Sequence, residues 1–297
     1  MLCGSTPMPK ILHVSDLHFG RPYRAEAGEA LQRIAPSLEP DAIVVSGDIS
    51  QRAKAHEFEA ARRFFDRFPS VPLLVVPGNH DVPLYRVGER LMRPLGLYRE
   101  IISDDLNPIL RLDGAVLVGL DSTSPRRAIT NGRLHRDQLE HSQRIFADVP
   151  AGAARIVVAH HHFAPGPDYL HDRTMPKARR AIDSFVDQGV DMILGGHVHR
   201  SYIGNSLDFF PGLHRDRGII IVQCGTTTSS RGRGRERDEN TFNLIDVGAE
   251  TLSVIHYLYF ESRGEFAPLS QHVFPRPGQP LDVSPIASGR PVRRPSP

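Results

Sequence analysis

The chain has 297 residues, 40% hydrophobic and 24% charged, enough to bury the core of one large α/β domain or two small ones. Thirty-six basic residues against 34 acidic ones leave a formal charge of +2, so no global field selects nucleic acid or an anionic membrane as partner. Two cysteines, Cys3 and Cys224, lack the paired spacing of a zinc knuckle or redox motif, and no run approaches the roughly 18 apolar residues of a membrane span.

Residues 1–9 read as a flexible N-terminus without an apolar leader core, with Met8 as an alternative start, and the expected compartment is the reducing cytoplasm. Apolar, β-branched runs then recur as buried strands: "KILHVSDLHF" (10–19), "DAIVVSGD" (41–48), "VPLLVVPGN" (71–79), "AVLVGLDS" (115–122), "ARIVVAHHH" (154–162) and "VDMILGGH" (190–197). Helical periodicity fills the gaps at 25–38, 55–68, 135–147 and 177–189. Past residue 218 come "GIIIVQCGT", "NTFNLIDVG" and "ETLSVIHYLYF", strand runs without a helix between them, "DVGAE" reading as a hairpin turn, so the sheet is expected to end antiparallel. No linker divides the halves. The expectation is one domain of two packed sheets over 10–274, followed by a Pro-, Arg- and Ser-rich tail, 275–297, too poor in apolar residues to order itself.

The polar residues fall where strands end. Asp16 and His18 follow the first run, Asp48 the second, Asn79 and His80 the third, His160–His162 the fifth, and His197 and His199 the sixth. In open α/β sheets ligands bind beyond the carboxyl ends of strands, so these residues converge on one crevice. Singly, a "GD" is an ordinary turn and "GNHD" an ordinary helix cap; five such pieces in order are a metal site. Asp supplies charge and bridges two cations, neutral imidazole suits Zn, Mn or Fe, and Asn adds oxygen without charge. Paired cations held by two carboxylates keep residual positive charge, attract phosphate and acidify a shared water.

The order "DLH" (16–18), "GD" (47–48), "GNHD" (78–81), His160 and "GHVH" (196–199) resembles the calcineurin-like metallophosphoesterase superfamily, over residues 10 to about 260. The resemblance implies a four-layer αββα sandwich of two mixed β-sheets flanked by helices. It implies two divalent or trivalent transition-metal ions, Mn, Fe or Zn, one held by Asp16, His18, Asp48 and His199, the other by Asp48, Asn79, His160 and His197. His80 lies over the phosphate as an acid, with Asp81 orienting its ring. His160 is the chosen ligand of its run, His161 the runner-up, and His162 lines the pocket or the surface. The text around the motifs looks like the bacterial class III cyclic-nucleotide phosphodiesterase branch and is similar to glycerophosphodiesterases. The expected function is hydrolysis of a small phosphodiester by a metal-bridging hydroxide. Nucleotide-sugar pyrophosphatase, phosphomonoesterase and nuclease activity are the alternatives, and an inactive metal-site scaffold for a protein partner is the alternative outside enzymology. A homodimer is implied for the branch; nucleic acid is not the expected partner.

Two segments stand outside the motifs. "SSRGRGRERDEN" (229–240) carries Arg231, Arg233, Arg235 and Arg237, but Glu236, Asp238 and Glu239 offset most of that charge, so it reads as a solvated, mobile loop. "RVGERLMRPLGLYREII" (86–102) reads as a cap or core helix interrupted by Pro94.

Overall fold

The first strand, β1 (Lys10–Val14), sets the layering, because successive side chains in a strand point to opposite faces. Leu12 and Val14 join one apolar cluster with Leu31, Phe58 and Phe64, whereas Ile11 joins another with Leu117, Ile156 and Val222. One face therefore meets helices and the other meets a second sheet. The computed structural model describes residues 9–126, 130–166, 173–210 and 217–277. After β1 come α1 (Ala25–Ile34), β2 (Ala42–Val45), α2 (Ala55–Phe65), β3 (Leu73–Val75), α3 (Val87–Met92), α4 (Gly96–Ile101), β4 (Ile109–Leu112) and β5 (Ala115–Gly119). The chain continues with α5 (Arg136–Ala147), β6 (Ala154–Val158), α6 (Ala178–Asp187), β7 (Met192–Gly195), β8 (Tyr202–Asn205), α7 (Ser206–Phe209), β9 (Ile220–Gln223), β10 (Thr241–Val247), β11 (Thr251–Phe260) and β12 (Glu265–Pro275).

The strands form two six-stranded mixed sheets, ordered β12-β11-β10-β1-β2-β3 and β4-β5-β6-β7-β9-β8. In the first, β1, β2 and β3 run parallel; in the second, β5, β6, β7 and β9 do. Helices α1, α2 and α4 cover the outer face of the first sheet through Leu31, Phe64 and Tyr98, and α5 and α6 cover that of the second through Phe146, Ile182 and Phe185. With a third cluster between the sheets, the fold is the expected αββα sandwich. Both parallel blocks turn their carboxyl ends to one edge of the sandwich, which is where the motif residues lie.

The 86–102 segment is helical and interrupted at Pro94 as expected, forming two short helices, α3 and α4, because Pro94 has no N–H to continue the first. The expected antiparallel end is divided between the sheets: β9 pairs parallel with β7 and antiparallel with the edge strand β8 in the second sheet, while β10, β11 and β12 close the first sheet antiparallel. The turn at "DVGAE" is present, Gly248 N donating to Thr251 O at 2.8 Å. At the end of the sandwich, the buried Asp191 accepts from Arg155 N (2.9 Å) and pairs with the partly exposed Arg217 (2.6 Å) and the buried Arg276 (3.3 Å). Arg276 also donates to Gly152 O. The tail expected from 275 starts later, because Pro275 closes β12 and Arg276 is buried against Asp191; residues 278 onward, Cys3 and Met8 lie outside the described residues. Among the described residues no helix is long and apolar enough to cross a membrane.

Candidate metal centre

The local backbone at the motifs is costly. Among the described residues nine non-glycine positions have positive φ, and Asp16, His18, Asp48, His197 and His199 are five of them, with φ between 48° and 75°. A non-glycine residue in this region costs on the order of 1–3 kcal/mol and persists where the surroundings enforce it, so the strain is concentrated on the candidate ligands. The motif glycines permit the close approach. A Cβ at Gly47, whose φ is +99°, would lie 2.6 Å from His160 Nδ1, and one at Gly78 would collide with the Asp48 carboxylate.

Two groups of side chains result. In the first, His18 Nε2 and His199 Nε2 are 3.1 Å apart, with Asp16 Oδ1 3.6 and 3.2 Å from them and Asp48 Oδ2 3.7 Å from His18 Nε2. In the second, Asn79 Oδ1 lies 3.2 Å from His160 Nε2 and 2.9 Å from His197 Nδ1, and His160 Nε2 is 3.4 Å from Asp48 Oδ1. Asp48 thus turns one oxygen to each group. All seven expected ligands are brought together.

The residues fit two cations. His199 Nδ1 donates to Arg231 O and His160 Nδ1 to Ser46 O, both at 2.8 Å, which turns each Nε2 toward other acceptors as the nitrogen a cation would take. Asp16 Oδ1 and Asp48 Oδ2 are buried without a hydrogen-bond partner. Converging lone pairs and orphaned carboxylate oxygens are what a buried cation satisfies. The opposite carboxylate oxygens are occupied: Asp16 Oδ2 accepts from Ser15 Oγ (2.7 Å) and His197 N (3.0 Å), and Asp48 Oδ1 from His80 N (2.8 Å).

The protonation states follow. Burial opposes charge on Asp16 and Asp48, but the surrounding imidazoles outweigh it and hold both well below the usual carboxylate range. Burial takes His18 down to about 4 and His197 well below the ordinary value. His160 is the exception: burial pulls it down, yet Asp48 and Asp16 push it up to about 9, so a proton competes for the position a cation would take.

His161, the runner-up, lies in the same group: its Nδ1 is 2.8 Å from Ser122 Oγ, and its Nε2, buried without a hydrogen-bond partner, gathers with the ring nitrogens of His160 and His197. His162 is buried, its ring stacked 5.5 Å from that of His197.

Asp81 does not do what the resemblance implied. Its carboxylate accepts from Ile49 N (3.2 Å), Ser50 N (2.8 Å), Ser50 Oγ (2.9 Å) and Gly78 N (2.9 Å), pinning the turn after β3 to the loop after β2. The His80 ring is oriented instead by Gln51 O, which accepts from Nδ1 at 2.9 Å. Burial and the Asp48 carboxylate push Asp81 up to about 7 against the pull of its N–H donors. The supports of His80, His160 and His199 are all main-chain carbonyls, of Gln51, Ser46 and Arg231, and a sequence offers no signal for them, since every residue has one.

The 229–240 loop is exposed at Ser230, Arg233 and 237–239, as expected, but its first part packs against the centre: Arg231 O accepts from His199 Nδ1, Arg233 N donates to His199 O, and Arg231 Nη1 donates to Gln51 Oε1 at 3.2 Å.

Comparison with known proteins agrees with this arrangement. Over 289 residues the chain is 27% identical to a cAMP/cGMP dual specificity phosphodiesterase of Mycobacterium tuberculosis, covering 91% of this chain and 83% of that protein. A stretch of 81 residues is 36% identical to a glycerophosphodiester phosphodiesterase of Enterobacter lignolyticus, covering 24% of this chain and 29% of that one. Among solved structures, a purple acid phosphatase from yellow lupin (Lupinus luteus) superposes with a TM-score of 0.69 at 13% identity, covering 92% of this chain and 55% of the lupin chain, a likeness of fold. The family model for calcineurin-like phosphoesterases matches residues 9–201, a span that holds every candidate ligand, and the chain belongs to that family.

Proposed function

We propose that the protein hydrolyses small phosphodiesters, with 3′,5′-cyclic nucleotides as the leading class. The observation that carries this reading is the sharing of Asp48 between two ligand groups beneath a half-buried His80, whose ring stands edge-on to that of His18 at 4.8 Å. When bound, two transition-metal cations supply Lewis acidity toward water and the phosphoryl oxygens. The chain does the rest. Asp16, His18 and His199 would hold one cation and Asn79, His160 and His197 the other, with Asp48 contributing to both. The His80 N–H fixes Asp48 Oδ1, coupling the acid to the bridging carboxylate. With Nδ1–H given to Gln51 O, His80 has Nε2 to carry a proton to the departing oxygen. The preference for a diester, and for a cyclic nucleotide, is supported by the activity named for the mycobacterial relative.

The test is turnover by protein reconstituted with Mn, Fe or Zn, using bis-p-nitrophenyl phosphate, 3′,5′-cyclic AMP, a glycerophosphodiester and a nucleotide sugar. Hydrolysis of the first two is expected. Hydrolysis of the nucleotide sugar alone would move the assignment to a pyrophosphatase, and inertness of the fully loaded protein toward all four would overturn it in favour of a scaffold.

A further inference from the structure

We infer that Arg231 is a specificity-determining residue that takes an anionic oxygen of the substrate's phosphoryl group; the inference rests on the hydrolase reading above. The guanidinium lies between two parts of the candidate site. On one side the Arg231 carbonyl receives the Nδ1–H of His199. On the other, Arg231 Nη1 donates to the side chain of Gln51, whose own carbonyl receives the Nδ1–H of His80. Arg231 thus spans the rim from a candidate ligand to the proposed acid.

Its charge is unspent. Among the described residues no carboxylate pairs with it, and its Nε is buried with no hydrogen-bond partner. The acid nearest in sequence that could serve, Glu236, is turned away, its two oxygens accepting Ser201 N at 3.0 and 2.8 Å with Arg200 at 3.9 Å. A half-buried guanidinium whose one hydrogen-bond partner is neutral and which no carboxylate pairs keeps its charge for an oxyanion, which it takes through charge-assisted Nη donors. The Gln51 contact fixes the plane of the fork before substrate arrives, so little ordering entropy is lost on binding. Removing the side chain leaves the carbonyl that orients His199 in place, so metal binding and anion binding separate.

The experiment measures binding of inorganic phosphate to the metal-loaded protein by calorimetry, together with KM and kcat for bis-p-nitrophenyl phosphate, in wild type, Arg231→Met and Arg231→Lys, with metal content determined for each. The expected result is a loss of phosphate affinity of roughly 10- to 100-fold in Arg231→Met, the size of one charge-assisted contact, a parallel rise in KM, and unchanged metal content. Arg231→Lys, which keeps charge without the fork, is expected to fall between. Phosphate affinity and KM within twofold of wild type in Arg231→Met would overturn the inference. Should that variant lose metal, Arg231→Lys decides, a wild-type phosphate affinity counting against it. Wild-type protein that binds phosphate through Arg231 yet hydrolyses no ester would sink the hydrolase reading and leave the anion site standing.

Discussion

Asp81→Asn separates a holding role from a catalytic one. The carboxylate, 1% exposed, receives four donors: Ile49 N and Gly78 N on Oδ2, Ser50 N and Ser50 Oγ on Oδ1. An amide oxygen can keep Ile49 N and Gly78 N while the NH2 group faces Ser50, whose hydroxyl can accept from it but whose N–H is left without an acceptor. One orphaned buried N–H costs about 1–3 kcal/mol, a sizeable share of the roughly 5–15 kcal/mol that stabilises a typical domain. Because the turn carries Asn79 and His80, cation binding weakens along with stability. Urea unfolding of metal-free and metal-loaded protein measures both. Ser50→Ala, which removes one donor to Asp81 and the acceptor of Ala53 N, is the milder variant, expected to cost about 1–2 kcal/mol. Wild-type stability and metal content in Asp81→Asn, with a changed dependence on the leaving group, would refute the reasoning and return Asp81 to the side of His80.

His80→Ala is expected to slow hydrolysis of an alkyl-alcohol ester by about 10²-fold or more while sparing a p-nitrophenyl ester, and equal losses on both would remove the acid role. His160, raised to about 9, is protonated at pH 7, whereas His18, at about 4, is neutral there. The pairing of protonated His160 with Asp48 stabilises the metal-free protein fully below the unfolded pKa of 6.5 and is lost as pH rises through 9. Cation binding must expel that proton, so loading at pH 7 releases ~1 proton from His160 and affinity rises about tenfold per pH unit up to that range; calorimetry in buffers of different ionisation enthalpy reads it, and a buffer-independent heat argues against it. Arg276→Ala is expected to cost about 1–3 kcal/mol, because Asp191 keeps Arg217, and a chain cut after residue 275 should show the same loss in thermal unfolding.

The strands that bear ligands were legible because their apolar runs are continuous and end abruptly in Asp, Asn or His: β1, β2, β3, β6 and β7 all fall inside the expected runs. The strands that were not legible are edges. At β4, "ILRL" alternates exposed and half-buried residues with none buried, β8 is the short "YIGN", and β12 contains Pro268 and alternates poorly, so none carries the pattern of a buried run. The convergence of the candidate ligands was legible from residue type and order, whereas the Asp81 role that the resemblance implied differs from the structure, where its carboxylate takes N–H and O–H donors of Ile49, Ser50 and Gly78 and His80 turns to Gln51 O. Arg231 was discounted by the acids around it, whose partners only three dimensions reveal.

Metal content per chain, measured by mass spectrometry after loading and dialysis of wild type and Asp48→Ala in parallel, bears most directly on the shared carboxylate. Two ions per chain in wild type and loss from both positions in the variant are the predicted result. A single ion in wild type, or two retained without Asp48, would contradict it.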